Sequence, residues 1–430
     1  MLDLLIIGAG PAGSAAAIEA ERAGLRALTI DKATFPRDKC CGDGLTTGAL
    51  RHLDALGLDP ATVPSWQPVS DVHVAGPNGK VRVFPLPRDN GLFAVITRRS
   101  ELDAALVARA REVGADIREG AELTELSIDS DTTGEFVTAT FRHAAANHQD
   151  SSEDPAPTGF ETVRARQVIA ADGMWSTSRK LLDVRLPDYR GDWHAFRQYF
   201  TNVSPIASSQ LYVWFEPDLL PGYVWSFPLA DGSANVGFGI QRGTGHKIQD
   251  MKTLWPDILA RPHIAAVLGP DATPEGPHKA WPIPARLGEV PLSKGPVVWV
   301  GDAAAATDPM TGEGIGQAIE TGRLAVECVV RGRDTSSTDD VNLSSRVAAD
   351  YERRLHKGMV KDHGLARTLS GVLATKWGSQ WSVNVAGSTA WTRRNFARWL
   401  FEDYPRAIVG TPSRWHRKVF NSDGAYTSVE

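Results

Sequence analysis

Residues 4–32, LLIIGAGPAGSAAAIEAERAGLRALTIDK, read as strand, tight turn, helix and second strand. The run Leu4–Ile7 is apolar throughout, as a parallel strand buried on both faces must be. Gly8, Gly10 and Gly13 then spell GxGxxG. In that pattern the first glycine permits the turn. The second lets the backbone approach a pyrophosphate, and the third lets the helix pack on the strand. Pro11, Ala12 and Ser14 complete the turn and open the helix, whose free N–H groups face an anion. Asp31 ends the second strand, 18 residues after Gly13, where an acid accepts from a ribose hydroxyl, and Lys32 follows it. These features predict an α/β fold with a Rossmann-like dinucleotide-binding domain. The motif alone does not separate NAD from FAD; its place at the start of the chain leans towards FAD.

The bulk properties narrow the class. The chain has 430 residues, 42% hydrophobic and 23% charged, with a net charge of −5 and pI about 6.1. That is globular composition with no general affinity for nucleic acid. Only Cys40, Cys41 and Cys328 are present, too few and odd in number for a disulfide framework. The first apolar run lacks a basic flank and leads straight into a glycine motif, unlike a signal peptide. No run of 18 apolar residues exists, so no spanning helix is expected. A cytoplasmic enzyme is the expectation.

Two more strand ends carry glycine and aspartate. VIAADGMWSTSR (168–179) runs into Asp172-Gly173, with Ser176 and Arg179 beyond. VVWVGDAAAATDPMTGEGIGQAIETG (297–322) runs into Gly301-Asp302, then Asp308-Pro309 and Gly312-Glu313-Gly314-Ile315. Asp302 is placed to accept from a ribityl hydroxyl. Gly314 and Ile315 open a helix whose N–H groups suit the N1–C2=O region of a flavin. Taken in order, the three motifs resemble the FAD superfamily that holds aromatic hydroxylases, flavin halogenases and geranylgeranyl reductases. RRSELDAAL (98–106) fits it too, and the resemblance implies that Arg99 sits near the flavin. The alternative is a surface charge at a helix start.

FPRDKCCGDGLT (35–46) resembles the loop of the geranylgeranyl reductase branch, with Pro-Arg, Lys and Cys-Gly close to the flavin ring. On that match Cys41, Gly42 and Asp43 line the cofactor pocket and Cys40 is incidental. A disulfide between neighbours is strained, and no metal ligands lie at short spacing. Cys41 is therefore either a pocket thiol with a chemical part or a small buried filler. PGYVWSFPLADGSANVGFGI (221–240) resembles the reductase signature YxWxFP followed by GxG. Alternation puts Tyr223, Trp225 and Phe227 on one strand face. Such a face suits an isoprenoid tail, which offers only apolar area; the plain alternative is an aromatic core strand. The resemblance thus implies an FAD-dependent reductase saturating C=C bonds of a geranylgeranyl group or of the polyprenyl side chain of menaquinone. Tyr223, Trp225 and Cys41 are its candidate catalytic groups, and Tyr223, Trp225 and Phe227 its substrate wall. An FAD-dependent aromatic monooxygenase or halogenase is the runner-up. The motifs themselves offer no convincing general acid. They leave the electron donor open between NADPH, ferredoxin and a membrane reductant.

Along the chain, 1–65, 97–182 and 285–350 are expected to form the FAD domain. Segments 66–96 and 183–284 would form an inserted, mostly antiparallel substrate sheet. Residues 145–161 suggest a hairpin tip and 331–340 a surface loop. Residues 351–430 suggest a helical region. Five of the thirteen Trp lie after residue 363, and residues 364–430 hold nine Lys/Arg against four Asp/Glu. Trp391, Phe396, Trp399 and Leu400 are expected on one helix face, with Arg393, Arg394, Arg398 and Arg406 supplying positive charge. Such a tail either lies peripherally on the inner face of the cell membrane, where polyprenyl chains reside, or caps the protein with its aromatics buried.

Overall fold

The computed structural model describes residues 1–88, 90–143, 159–184, 188–334, 342–401, 407 and 422–427. The opening stretch forms the strand Leu2–Ile7, the helix Pro11–Arg22 and the strand Ala27–Ile30. Leu2–Ile7 lies between Ala27–Ile30 and Gly159–Ala170, parallel to both. Helices and neighbouring strands cover both faces, so Leu4, Leu5 and Ile6 are fully buried. Val297–Trp299 joins Gly159–Ala170 in parallel, and Asp116–Arg118 joins Ala27–Ile30. Register pairs Ile7 with Ala170 and Ala170 with Trp299. The three glycine–aspartate turns therefore leave the sheet side by side, beyond the carboxyl ends of the strands, where open α/β sheets bind ligands.

The helix Ile315–Asp334 packs against Pro11–Arg22. A Cβ on Gly322 would lie 2.2 Å from the Ala12 carbonyl oxygen, so this crossing needs a bare backbone. Two antiparallel strands, Ala121–Asp131 and Gly134–His143, extend the sheet from Gly159–Ala170. Residues 144–158, which hold most of the expected hairpin tip, lie outside the described residues, as do 335–340 of the expected surface loop; its first four residues, 331–334, instead close the helix Ile315–Asp334.

A second sheet of seven strands runs in the order Thr273–Ile283, Trp193–Thr201, Ala234–Gln241, Tyr223–Pro228, Leu211–Trp214, Asp71–Ala75, Val81–Pro85. Every neighbouring pair is antiparallel except Leu211–Trp214 with Asp71–Ala75. Two distant stretches of chain thus build one sheet.

The helical region begins at Leu343, with Leu343–Lys357, Met359–Leu373, Lys376–Ala386 and Ala390–Leu400. Tyr351 Oη donates to the Trp299 carbonyl at 2.9 Å, tying the first of these helices to the nucleotide sheet. Thr389 caps the last helix, accepting from Thr392 N–H at 3.0 Å. That helix packs on Val81–Pro85, with the Phe396 and Phe84 rings 5.2 Å apart. Two expectations for it fail. Trp391 does not share the face of Phe396 and Trp399, because it sits in the first turn and is 65% exposed. Arg398 is not a surface charge: it is buried, donates to the Ser422 carbonyl at 2.7 Å and lies over the Phe93 ring. Arg406 and Trp415 lie outside the described residues. Among the described residues no helix is long and apolar enough to cross a membrane.

Candidate active site

A cavity of about 900 Å³ begins at the three strand ends and runs under the second sheet. At its nucleotide end, Gly8 has φ +101°, and a Cβ there would lie 2.5 Å from the Ala171 carbonyl oxygen. A Cβ on Gly13 would lie 1.7 Å from the Gly8 carbonyl oxygen, so helix and turn touch directly. A Cβ on Gly10 would meet only Arg37 Nη2 at 3.3 Å, on the cavity side. Pro11 and Ala12 line the cavity, whereas the Ser14 hydroxyl turns back to the Ala9 carbonyl at 2.8 Å. Asp31 Oδ2 accepts from Ala9 N–H at 2.7 Å and Oδ1 from Ala33 N–H at 2.8 Å. This carboxylate staples the turn while lining the cavity, and Lys32 beside it is exposed. Asp172 accepts from Ser178 N–H at 2.7 Å through Oδ2, and its buried Oδ1 has no protein partner.

The cysteine loop folds over the middle of the cavity. Lys39 Nζ reaches Asp302 Oδ2 at 2.7 Å. Burial pushes the Asp302 carboxyl up, but the charges of Lys39 and Arg99 outweigh it and the net shift is downward. Arg99 is buried and forks onto both oxygens of Asp103 at 2.8 Å, with the Cys41 thiol close enough to feel its charge. Burial raises the Cys41 thiol above its ordinary range, opposed by Arg99. The Cys40 thiol is pushed up to about 12, chiefly by burial, and donates to the Lys279 carbonyl at 3.4 Å. Both cysteines are free, neutral thiols at neutral pH. Gly314 and Ile315 stand at the cavity wall where the helix Ile315–Asp334 begins.

The aromatic strand faces this loop. Tyr223, Trp225 and Phe227 follow one another along one face at ring separations of 5.9 and 6.1 Å. Tyr223 Oη donates to the Thr311 carbonyl. Trp225 Nε1 donates to Asn235 Oδ1 at 2.9 Å, and Asn235 Nδ2 donates to Asp43 Oδ2 at 2.8 Å. Tyr199 Oη donates to the same Asp43 oxygen at 2.6 Å. Arg197 lies over the Tyr199 ring at 4.1 Å and bonds Asp38 Oδ1 at 2.8 Å. Lys39 belongs to the cysteine-loop motif, whereas Tyr199, Arg197 and Asn235 carry no motif signal in the sequence, and long-range pairing alone brings them here.

The far wall comes from the C-terminal helices. Leu369, Leu373, Val383, Phe396, Trp399 and Leu400 all line the cavity. On the outside of the same helices Trp377 is 75% and Trp381 51% exposed, with rings stacked 6.2 Å apart. The helical tail caps the cavity with one face and shows tryptophan to solvent on another.

A family model described as an FAD binding domain matches residues 1–325. A menaquinone reductase of Mycolicibacterium smegmatis is 32% identical over 356 residues, 77% of this chain and 76% of the relative. The digeranylgeranylglycerophospholipid reductase 2 of Methanopyrus kandleri is 29% identical over 347 residues, 78% of each chain. This chain belongs to the geranylgeranyl reductase family of FAD-binding oxidoreductases. A geranylgeranyl bacteriochlorophyll reductase-like protein of Thermoplasma acidophilum has the same fold, with a TM-score of 0.75 over 96% of this chain and 99% of that one at 23% identity.

The residues fit the cofactor of this geranylgeranyl reductase family member. Gly10 keeps the helix N-terminus of Pro11–Arg22 open, and no side chain caps it, so its N–H groups suit the FAD pyrophosphate. The unpartnered oxygen of Asp172 and the carboxylate of Asp31 offer acceptors to hydroxyl groups along the same wall. The start of the helix Ile315–Asp334 lies on the same cavity wall, where its N–H groups would suit the ring of a bound flavin.

Proposed function

We propose that this oxidoreductase saturates carbon–carbon double bonds in the isoprenoid chain of a lipid, either a geranylgeranyl group or the polyprenyl side chain of a quinone. The observation that carries the reading is continuity. One cavity joins the FAD cradle to Tyr223, Trp225 and Phe227 and on to the apolar wall of the C-terminal helices. A polyprenyl chain gains only from apolar burial, at about 25 cal/mol per Å² removed from water, and this wall offers it no other contact. The relatives named above, reductases of menaquinone and of a digeranylgeranyl lipid, support the same substrate class.

Reduced FAD, when bound, supplies hydride from its N5 to one alkene carbon. The chain's residues do the rest. The aromatic strand holds the alkene flat against the flavin side of the cavity. The neutral Cys41 thiol and Arg99 line the middle of the cavity, with Asp103 holding Arg99 from behind, so no bare thiolate would stand beside a bound flavin. The second sheet and the helical cap exclude water, so charge that builds on carbon must be met by a fixed group.

The lipid enters from a membrane. The stacked Trp377–Trp381 pair and the exposed Val372, Val385 and Trp391 are carried on the helices that line the cavity, as are exposed Lys376 and Arg394. Aromatic and basic side chains together suit an anionic bilayer surface. The protein then works peripherally on the inner face of the cell membrane, taking electrons from NADPH or another reductant.

The test is anaerobic. FAD-loaded protein is reduced with dithionite and mixed with menaquinone or a geranylgeranyl lipid, and the lipid is analysed by mass spectrometry. Gain of two hydrogens per reduced bond, with flavin reoxidised, establishes the reading and shows which head group is accepted. An unchanged lipid, with oxygen consumed on admitting air and inserted into an aromatic, replaces it with the monooxygenase.

A further inference from the structure

Alkene reduction needs a proton as well as a hydride, and Asp43 is built to hold one. Its backbone has φ +65°, a left-handed conformation that a non-glycine residue adopts at some cost in strain. It sits between Gly42 and Gly44, where the chain runs flush against the aromatic strand. A Cβ on Gly42 would lie 3.4 Å from the Phe227 ring and 3.7 Å from that of Trp225. The Asp43 side chain is fully buried yet lines the cavity. Two donors, Tyr199 Oη and Asn235 Nδ2, both point at Oδ2. Oδ1 is buried and has no protein partner. An acid whose Oδ2 already accepts twice carries its proton on Oδ1, where it is free to donate.

We infer that Asp43 gives the proton on Oδ1 to the alkene carbon that does not receive the hydride. The inference rests on the reductase reading above. The π pair of the alkene is replaced by two C–H bonds, one made with hydride carried by the reduced flavin and one with the proton of Asp43. The carboxylate left behind takes a proton from water before the next turnover, and a two-electron donor reduces the flavin again.

The surroundings support the protonated form. Burial raises the carboxyl, against the charges of Arg197 and Arg99 and the hydrogen bonds from Tyr199 and Asn235, and the balance stands at about 6. The other groups facing it are the neutral thiols of Cys40 and Cys41, with Asp38 held behind Arg197. Other proton carriers in or beside the cavity are engaged. Tyr223 donates to Thr311, Tyr199 donates to Asp43 itself, and Lys39 is paired with Asp302. Asp172 also has an unpartnered oxygen but lies at the nucleotide end, where a Cβ on Gly8 would be 3.3 Å from its backbone nitrogen.

The experiment compares wild type, Asp43→Asn and Asp43→Glu as full-length, FAD-loaded proteins. After dithionite reduction each is mixed anaerobically with the lipid that wild type accepts. Asp43→Asn is expected to slow saturation at least about a hundredfold, while flavin affinity and quenching of tryptophan by the lipid stay unchanged. Asp43→Glu should restore part of the rate. The wild-type rate should fall as pH rises above about 6. Infrared difference spectra of the flavin-free protein give an independent readout: a protonated carboxyl band that disappears through the same pH range in wild type and is missing in Asp43→Asn. Equal saturation by Asp43→Asn, or no such band in wild type, overturns the inference and leaves the reductase standing. A wild-type protein that saturates no lipid overturns both.

Discussion

Lys39 Nζ and Asp302 Oδ2 meet at 2.7 Å across 263 residues of chain. The contact pins the cysteine loop to the turn after Val297–Trp299, so the cavity roof and the last glycine–aspartate motif form one unit. Replacing Lys39 by Met should cost about 1–3 kcal/mol, as expected for a partly buried, charge-assisted hydrogen bond. Asp302 is held below its ordinary range, so the pair's contribution is present above that range and lost as pH falls through the depressed value. Denaturant unfolding of wild type and Lys39→Met should therefore differ at neutral pH and converge in acid.

Asp43 works in the opposite direction. Its carboxyl stands at about 6 in the fold against an ordinary 3.8, so the folded state binds the extra proton between those values. The stabilisation is complete below the ordinary value and is lost as pH rises through about 6, a total of about 3 kcal/mol. Asp43→Asn should remove that slope from a plot of unfolding free energy against pH.

Gly10 and Gly13 separate cofactor binding from folding. A Cβ on Gly13 would overlap the Gly8 carbonyl, whereas one on Gly10 has room. Gly13→Ala should lower the unfolding temperature of the flavin-free protein sharply. Gly10→Ala should leave that temperature unchanged and weaken FAD binding, read by titration of flavin fluorescence.

Trp225 is fixed on two sides. Its indole N–H holds Asn235, and a Cβ on Gly237 would lie 2.3 Å from its ring. Trp225→Phe leaves Asn235 Oδ1 without that donor and should cost about 1–3 kcal/mol in stability. Because Asn235 also orients Asp43, the variant should bind lipid yet saturate it more slowly, which pre-steady-state flavin reoxidation would resolve.

The outer tryptophans predict a clean separation. The double change Trp377→Ser, Trp381→Ser removes exposed side chains and should shift stability by no more than about 0.5 kcal/mol. It should abolish co-flotation with vesicles containing anionic lipid, while a detergent-dispersed substrate is still reduced.

Local chemistry determined the nucleotide half from sequence alone. A buried parallel strand is apolar on both faces, a turn over a pyrophosphate needs glycine, and period-two alternation puts Tyr223, Trp225 and Phe227 together. Each of these constraints acts within a few residues, so each is legible in the chain. Tertiary structure decided the rest. The partners of Asp43 and Asp302 come from strands and loops some 150 to 260 residues away; nothing at Tyr199 or Asn235 marks them beforehand, and the motif that holds Lys39 does not say what it meets. The same holds for the tail: an apolar helix face reads alike whether it meets lipid or protein. Only packing showed that Phe396, Trp399 and Leu400 close the cavity, that Arg398 is internal, and that Trp377, Trp381 and Trp391 stay outside.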